Sequence, residues 1–145
     1  MKKGENNIKM IIKKKITNLE NMLHDCKSLL NIKELENLDT TDIKDFSGIF
    51  YGCSSLIEIN GLQNLNVSNE KYFNSLFFGC SSLLSIKVLQ NWMHQMKNIF
   101  ILSFLDVSSL IDIKALQNCN VSNGKYFSPM LEGCSSLSNI KGLEN

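Results

Sequence analysis

The chain has 145 residues, which is enough for one domain. It is 43% apolar and 20% charged, with one proline and a formal net charge of +1, so disorder along the whole chain is excluded. All 15 basic residues are lysines, and the guanidinium group that usually reads phosphate or guanine is absent, so we expect no nucleic-acid binding.

The N-terminal segment 1–25 is predicted to form a capping half-coil. The apolar stretch Met10–Ile12 is far shorter than the roughly 7–15 residues of a secretory signal, and no run approaches the roughly 18 residues of a transmembrane segment. As the chain stands, we therefore expect a cytoplasmic protein. Lys13–Lys15 either attracts anionic lipid or nucleic acid or, as we favour, protects the edge of the first coil from pairing with another strand.

The rest of the chain repeats one motif, whose first residue recurs at positions 26, 53, 80, 107 and 134, a constant step of 27. Cys-Ser-Ser-Leu begins at Cys53, Cys80 and Cys134, and related tetrapeptides begin at Cys26 and Val107. A period that is held four times without insertion predicts stacked, equivalent coils. The segment 26–145 is therefore interpreted as a repeat solenoid with one unit beginning at each of these positions.

Equivalent positions of successive units form columns, and the apolar columns are predicted to form a continuous core. Around one of these columns, apolar and polar residues alternate. The alternation predicts a short, half-buried strand, with the column Leu30, Ile57, Leu84 and Ile111 facing inward. The polar neighbours then face outward and are the candidate binding residues of the strand face. They are Asn31, Lys33, Glu58, Asn60, Ser85, Lys87, Asp112, Lys114, Asn139 and Lys141.

An asparagine column follows the strand in every unit. Its amides are predicted to bond the backbone of the neighbouring coil as a structural ladder, and a row of amides lining a ligand groove is the weaker alternative. The members of this column are Asn37, Asn64, Asn91, Asn118 and Asn145.

The second half of each unit has the spacing of a short helix. Phe46, Ile49 and Phe50 lie on one helical face ahead of Gly52, a pattern that predicts about two turns ended by glycine. The predicted fold class is therefore α/β, a leucine-rich-repeat-type solenoid with a parallel sheet on one face and short helices on the other.

These motifs resemble the BspA-like surface-protein repeats of the leucine-rich-repeat family. The resemblance is carried by the Gly-Cys-Ser-Ser-Leu segments at 52–56, 79–83 and 133–137 and by the Asn-Val-Ser-Asn turns at 66–69 and 120–123, and it covers roughly positions 16–145. It implies a curved solenoid that binds proteins, and a location at the cell surface for the bacterial members of that family.

The five cysteines could suggest a metal or disulfide site. Four of them open units, but the fourth unit has Val107 in that place, and valine cannot replace a ligand or a redox partner. Cys119 also falls in a core-type column. No pair has the short separation of a zinc half-site, so buried free thiols are favoured over metal or disulfide.

Residues for catalysis are not grouped in the sequence. His24 and His94 fall in different columns, and there is no recurring nucleophile and base, no phosphate-binding glycine loop and no paired carboxylates in an apolar stretch. We therefore predict no enzyme activity, no cofactor and no metal.

The third unit departs from the others where it places Trp92, Met93, His94 and Met96. Such residues can form an adaptable apolar contact, which makes them a secondary binding candidate. Sequence drift in a unit that its neighbours hold in place is the alternative that we favour.

The sequence as a whole favours a non-enzymatic protein-interaction module with a protein partner of unknown identity. The alternatives are a cell-surface adhesin of BspA-like type and a vestigial fragment of a longer repeat array. The last unit ends at Asn145 without a polar cap over its core positions, so association through this C-terminal coil is also expected.

Overall fold

The computed structural model describes residues 9–12, 15–67, 72–95, 104–113 and 131–138. Within them, strand β1 (Asn31–Ile32) pairs in parallel with strand β2 (Glu58–Ile59). Asn31 lies opposite Glu58 in this pairing, so the partners are separated by one full period of the sequence. A single parallel bridge between Ser85 and Asp112 continues the same column with the same spacing.

A second ladder lies on another side of the units. Parallel bridges join Asn18 to Asp45 and Asp45 to Tyr72, again one period apart. Here the segment before the first full unit already stacks on that unit, because the amide of Leu23 donates a hydrogen bond of 3.1 Å to the carbonyl oxygen of Ile49. Successive units are thus joined through backbone hydrogen bonds on at least two sides.

The segment that was predicted as a helix ending at Gly52 forms consecutive turns, so this prediction is wrong. Its amides bond to the next unit, as in Gly48 to Asn74 at 2.9 Å and Gly52 to Phe78 at 2.8 Å. Both glycines have positive φ, +61° and +68°, and a left-handed residue at every fourth position prevents a right-handed helix from continuing. In other units the corresponding left-handed positions are held by Gly79 and Gly133, or by Asn, Asp or Ser, which do not mark a break as clearly as glycine does.

The helices that do form come directly after the strand positions. Short 3₁₀ helices span Leu35–Asn37, Leu62–Asn64 and Lys87–Leu89, and the last of these continues into helix α1, Gln90–Gln95. In the first two units a residue in the left-handed conformation, Glu34 or Gly61, precedes the helix and turns the chain away from the strand.

The core is built from columns of identical or similar side chains. Rings of successive units stack with nearly parallel planes, as Phe50, Phe77 and Phe104 do at centroid distances of 5.8 and 5.7 Å. Leu56 and Ile59 are fully buried beside them, and their counterparts in the units that begin at 80 and 107 are buried as well. Each unit therefore contributes one layer to a shared apolar interior.

The N-terminal lysine cluster lies partly in the described residues. Lys15 forms an ion pair with Asp42, which lies one period further along the chain, while Lys13 and Lys14 lie outside the described residues. Met10, Ile11 and Ile12 are exposed. No helix in the described ranges is both long enough and apolar enough to cross a membrane.

Candidate binding face

The structure brings the first row of predicted binding residues together. Asn31 and Glu58 are neighbours in β1 and β2, and Ser85 is bridged to Asp112. Asn31 and Glu58 are exposed, whereas Ser85 and Asp112 are half-buried. Asn139 would continue this row and lies outside the described residues.

The second predicted row lies two positions further along each strand. The amide of Asn60 donates a hydrogen bond of 3.0 Å to the carbonyl oxygen of Ile32, and this bond ties the backbone of the row in one unit to the unit before it. Lys33 and Lys87 are exposed, and Asn60 is half-buried. Lys114 and Lys141 also belong to this row and lie outside the described residues.

The same face carries an apolar row that the sequence reasoning missed, and we call it the aliphatic row. Its members are Leu30, Ile57, Leu84 and Ile111, which were predicted to face the core but are 45% to 60% exposed. The backbones are joined in two pairs, since the amide of Ile57 donates a hydrogen bond of 2.9 Å to the carbonyl oxygen of Leu30 and that of Ile111 donates one of 3.2 Å to the carbonyl oxygen of Leu84.

The prediction that this row is buried was wrong because the strands are too short for regular alternation. The two buried positions of the unit, Leu56 and Ile59, are three positions apart rather than two. Ile57 and Glu58 between them both face outward, since a turn precedes β2 and leaves only two residues in extended pairing. Alternation of inward and outward side chains predicts burial only where a strand is long enough for the alternation to repeat.

Serine hydroxyls run along the other side of the aliphatic row and are used by the fold. The hydroxyl of Ser81 donates a hydrogen bond of 3.2 Å to the carbonyl oxygen of Ser54, and that of Ser108 donates one of 3.3 Å to the carbonyl oxygen of Ser81. These hydroxyls tie one unit to the one before it, so their role is structural.

The cysteine column points into the core. The thiols of Cys53, Cys80 and Cys134 donate hydrogen bonds of 3.0 to 3.1 Å to carbonyl oxygens 30 positions earlier in the chain, and all three side chains are buried. Burial raises the pKa of the Cys53 thiol to about 11 and that of the Cys80 thiol to about 12. Burial also raises the pKa of the Cys134 thiol. These groups are therefore protonated and weakly nucleophilic at neutral pH.

Cys26 is half-buried, and the four described cysteines are free thiols. Cys119 lies outside the described residues. Among the residues that the structure describes, no group of three or more histidine, cysteine or acidic side chains is placed to hold a metal ion.

Trp92 does not belong to an exposed contact site. It is fully buried in α1, where its indole N–H donates a hydrogen bond of 2.6 Å to the carbonyl oxygen of Leu62 and its ring packs 5.2 Å from that of Phe73. The secondary binding candidate is therefore wrong for Trp92. The side chains of Met93 and His94, and all of Met96, lie outside the described part of the structure.

The asparagine column makes one described contact of the predicted kind. The side-chain amide of Asn91 donates a hydrogen bond of 3.4 Å to the carbonyl oxygen of Gln63 in the preceding unit. Asn37 and Asn64 are exposed at the ends of their 3₁₀ helices. Asn118 and Asn145 lie outside the described residues.

Comparison with known proteins gives one family. The family model described as "Mycoplasma protein of unknown function, DUF285" matches residues 1–104. Neither a curated protein nor a solved structure matches the chain.

Proposed function

This chain belongs to the DUF285 family of Mycoplasma proteins of unknown function, and we propose that it is a non-enzymatic protein-interaction module built as a leucine-rich-repeat-type solenoid. The observation that carries the proposal is the strand face, where polar and aliphatic side chains from successive units stand in rows. A rigid face with repeated rows suits the recognition of another protein.

The solenoid part of the proposal is supported by the hydrogen bonds between units. Parallel pairs are one period apart both along the strand column and along the column of Asn18, Asp45 and Tyr72. The turns between these columns also bond from unit to unit rather than within a helix. A stack of this kind leaves each unit in contact mainly with its neighbours.

The non-enzymatic part is supported by where the reactive side chains lie. The cysteines of the core column have hydrogen-bonded, buried thiols, and the serine hydroxyls of the neighbouring column bond to backbone carbonyls. Groups engaged in this way hold the stack together, and they are poorly placed to attack a substrate.

A BspA-like adhesin at the cell surface is the second candidate, and the recurring Gly-Cys-Ser-Ser-Leu segment favours it. Protease treatment of intact cells tests it, with a cytoplasmic protein as the control for lysis. An adhesin is digested from outside, whereas a protein that remains intact until the cells are broken excludes this candidate.

The strand face is tested by photo-crosslinking in cells. A benzophenone amino acid is placed at Asn31 or Glu58 on the face, and at Lys44 beside the other ladder as the control position. We expect the same partner to be captured from both face positions and not from Lys44.

The captured partner is then tested against charge reversal. The variant Lys33→Glu/Lys87→Glu is expected to weaken its binding to the purified chain at least several-fold, because both lysines are exposed on the face. Lys44→Glu serves as the matched control. Equal capture from Lys44, or binding that neither variant changes, would remove the strand face as the binding surface.

A further inference from the structure

We propose that residues 1–15, which we call the basic segment, dock the chain on an anionic lipid bilayer. The apolar run Met10–Ile12 inserts among the lipid headgroups, and the lysines around it lie at the charged surface. This contact is separate from the strand face and does not depend on the function proposed for that face.

The apolar run is exposed and lies outside the stack of units. Met10, Ile11 and Ile12 are 54%, 65% and 39% exposed, and they contribute no side chain to the described core. Within the described ranges, residues 9–12 form no backbone hydrogen bond. The bonds between units begin at Thr17, whose carbonyl oxygen accepts a hydrogen bond of 3.3 Å from the amide of Lys44. The run is therefore available to a surface outside the protein.

Positive charge is concentrated in the same segment. Residues 1–15 contain six lysines and one glutamate, which gives a net charge of +5. Residues 16–145 contain nine lysines and thirteen acidic residues, which gives a net charge of −4. The formal charge of +1 for the whole chain conceals this division. An anionic surface therefore attracts the basic segment and repels the rest of the chain, which orients the protein on that surface.

Two acidic residues of the first full unit act on the basic segment and reduce its charge. Asp42 forms the ion pair with Lys15, and Asp39 also attracts the Lys15 ammonium group. The pair holds Lys15 at the edge of the stack and removes it from the attractive charges. Five lysines remain against Glu5 and Asp39, a net charge of +3. These lysines are Lys2, Lys3, Lys9, Lys13 and Lys14.

The combination of charge and apolar run favours a bilayer over a nucleic acid. Lysines attract any polyanion, but three consecutive apolar side chains are removed from water only by a partner with an apolar interior. The basic segment contains no arginine and no aromatic residue, the side chains that read bases or stack on them. Binding at a membrane surface increases with buried apolar area and with attraction to anionic lipid, and this segment supplies both.

Sedimentation with lipid vesicles tests the proposal on the full chain. The vesicles contain phosphatidylcholine with about one-third phosphatidylglycerol, and the comparison vesicles contain phosphatidylcholine alone. We expect at least tenfold tighter binding to the anionic vesicles, and loss of most of this difference at about 1 M salt, where charges are screened beyond about 3 Å. Equal binding to both kinds of vesicle, or no binding to the anionic ones, would overturn the proposal.

Charge reversal tests whether the attraction acts through the basic segment. Lys9→Glu/Lys13→Glu reverses the two lysines that flank the apolar run and is expected to weaken binding to the anionic vesicles at least tenfold. Lys33→Glu/Lys87→Glu changes the net charge by the same amount at exposed positions of the strand face, and we expect it to weaken binding less than threefold. Equal losses would show that only the total charge matters, which would overturn the proposal.

Shortening the apolar run tests the second half of the contact. Ile11→Ser/Ile12→Ser is expected to weaken binding to the anionic vesicles at least fivefold, whereas Ile57→Ser/Leu84→Ser removes exposed apolar side chains elsewhere and should leave it within twofold. Equal effects would reject the insertion. Tighter binding to a DNA duplex than to the vesicles, unchanged by Ile11→Ser/Ile12→Ser, would identify the segment as a nucleic-acid site and reject the bilayer.

Tryptophan fluorescence locates the inserted residues directly. The one native tryptophan, Trp92, is fully buried and gives a constant background. Ile11→Trp is expected to shift its emission to the blue on anionic vesicles and to be quenched by brominated lipid chains. Tyr72→Trp is the control, because Tyr72 is 55% exposed and lies outside the basic segment. Equal quenching of the two variants, or quenching of neither, would overturn the proposal.

Discussion

Alkaline pH should destabilise the fold through its buried thiols, and Cys80 is the clearest case. The side chain is fully buried and its pKa is raised to about 12, against an ordinary value of 9.0. Between these values the unfolded chain has lost the thiol proton and the folded chain keeps it. Stability is therefore unaffected below about pH 9 and falls as the pH rises above it.

The size of the effect follows from the pKa difference. At pH 10.5 the unfolded thiol is about 1.5 pH units above its ordinary pKa while the folded one is still protonated, which corresponds to about 2 kcal/mol lost from the free energy of unfolding. Cys80→Val removes this contribution, and the chain itself shows that the column accepts valine, because Val107 is fully buried at the equivalent position.

The assay is urea unfolding followed by far-UV circular dichroism at pH 7 and pH 10.5, with a reductant present to prevent oxidation. Lysine and tyrosine ionise in both proteins, so their contribution cancels when the pH-induced losses are compared. We expect the wild-type chain to lose about 2 kcal/mol more than Cys80→Val between the two pH values. Equal losses would refute the assignment of a proton to the buried thiol.

Three further predictions concern packing, backbone and thiol access. Trp92→Ala should cost about 4 kcal/mol in urea unfolding and Trp92→Phe about 1 to 2 kcal/mol, because phenylalanine keeps a six-membered ring in the core and loses the smaller part of the indole with its N–H to the Leu62 carbonyl; equal costs would contradict this account. Gly61→Ala should lower the thermal midpoint more than Gly79→Ala, since a Cβ at Gly61 would lie 2.7 Å from a backbone nitrogen whereas one at Gly79 meets nothing closer than 3.6 Å. Cys26 should be alkylated by iodoacetamide faster than the three buried thiols of its column, as measured by peptide mass spectrometry, and uniform labelling of the folded chain would count against the burial described above.

The sequence period predicts the register of the structure well. Asn31 pairs with Glu58 and Ser85 with Asp112 at the spacing of the motifs. The reason is that side chains of a repeated unit pack best against their own counterparts, as the ring stack of Phe50 and Phe77 shows. The pairing between units can thus be predicted from the sequence period without knowing the conformation inside a unit.

The conformation inside a unit is less readable. The helix expected before Gly52 fails because left-handed residues recur every four positions, and at Asn21, Asp25 or Ser75 the sequence gives little sign of this conformation. The burial of Leu30 was mispredicted because a two-residue strand has no room for alternation. The candidate polar rows were found because polarity alone marks them, whereas finding the aliphatic row beside them requires the backbone.

The hydrogen bonds between units also bear on how such a gene changes length. Because each unit presents to the next the same backbone donors and acceptors that it receives from the previous one, the loss or duplication of one whole unit joins two surfaces that already match. An insertion of a single amino acid inside a paired segment shifts the donors of that segment away from their acceptors and turns buried side chains outward. Recombination between copies of the coding segment therefore preserves the match between units when it adds or removes whole repeats.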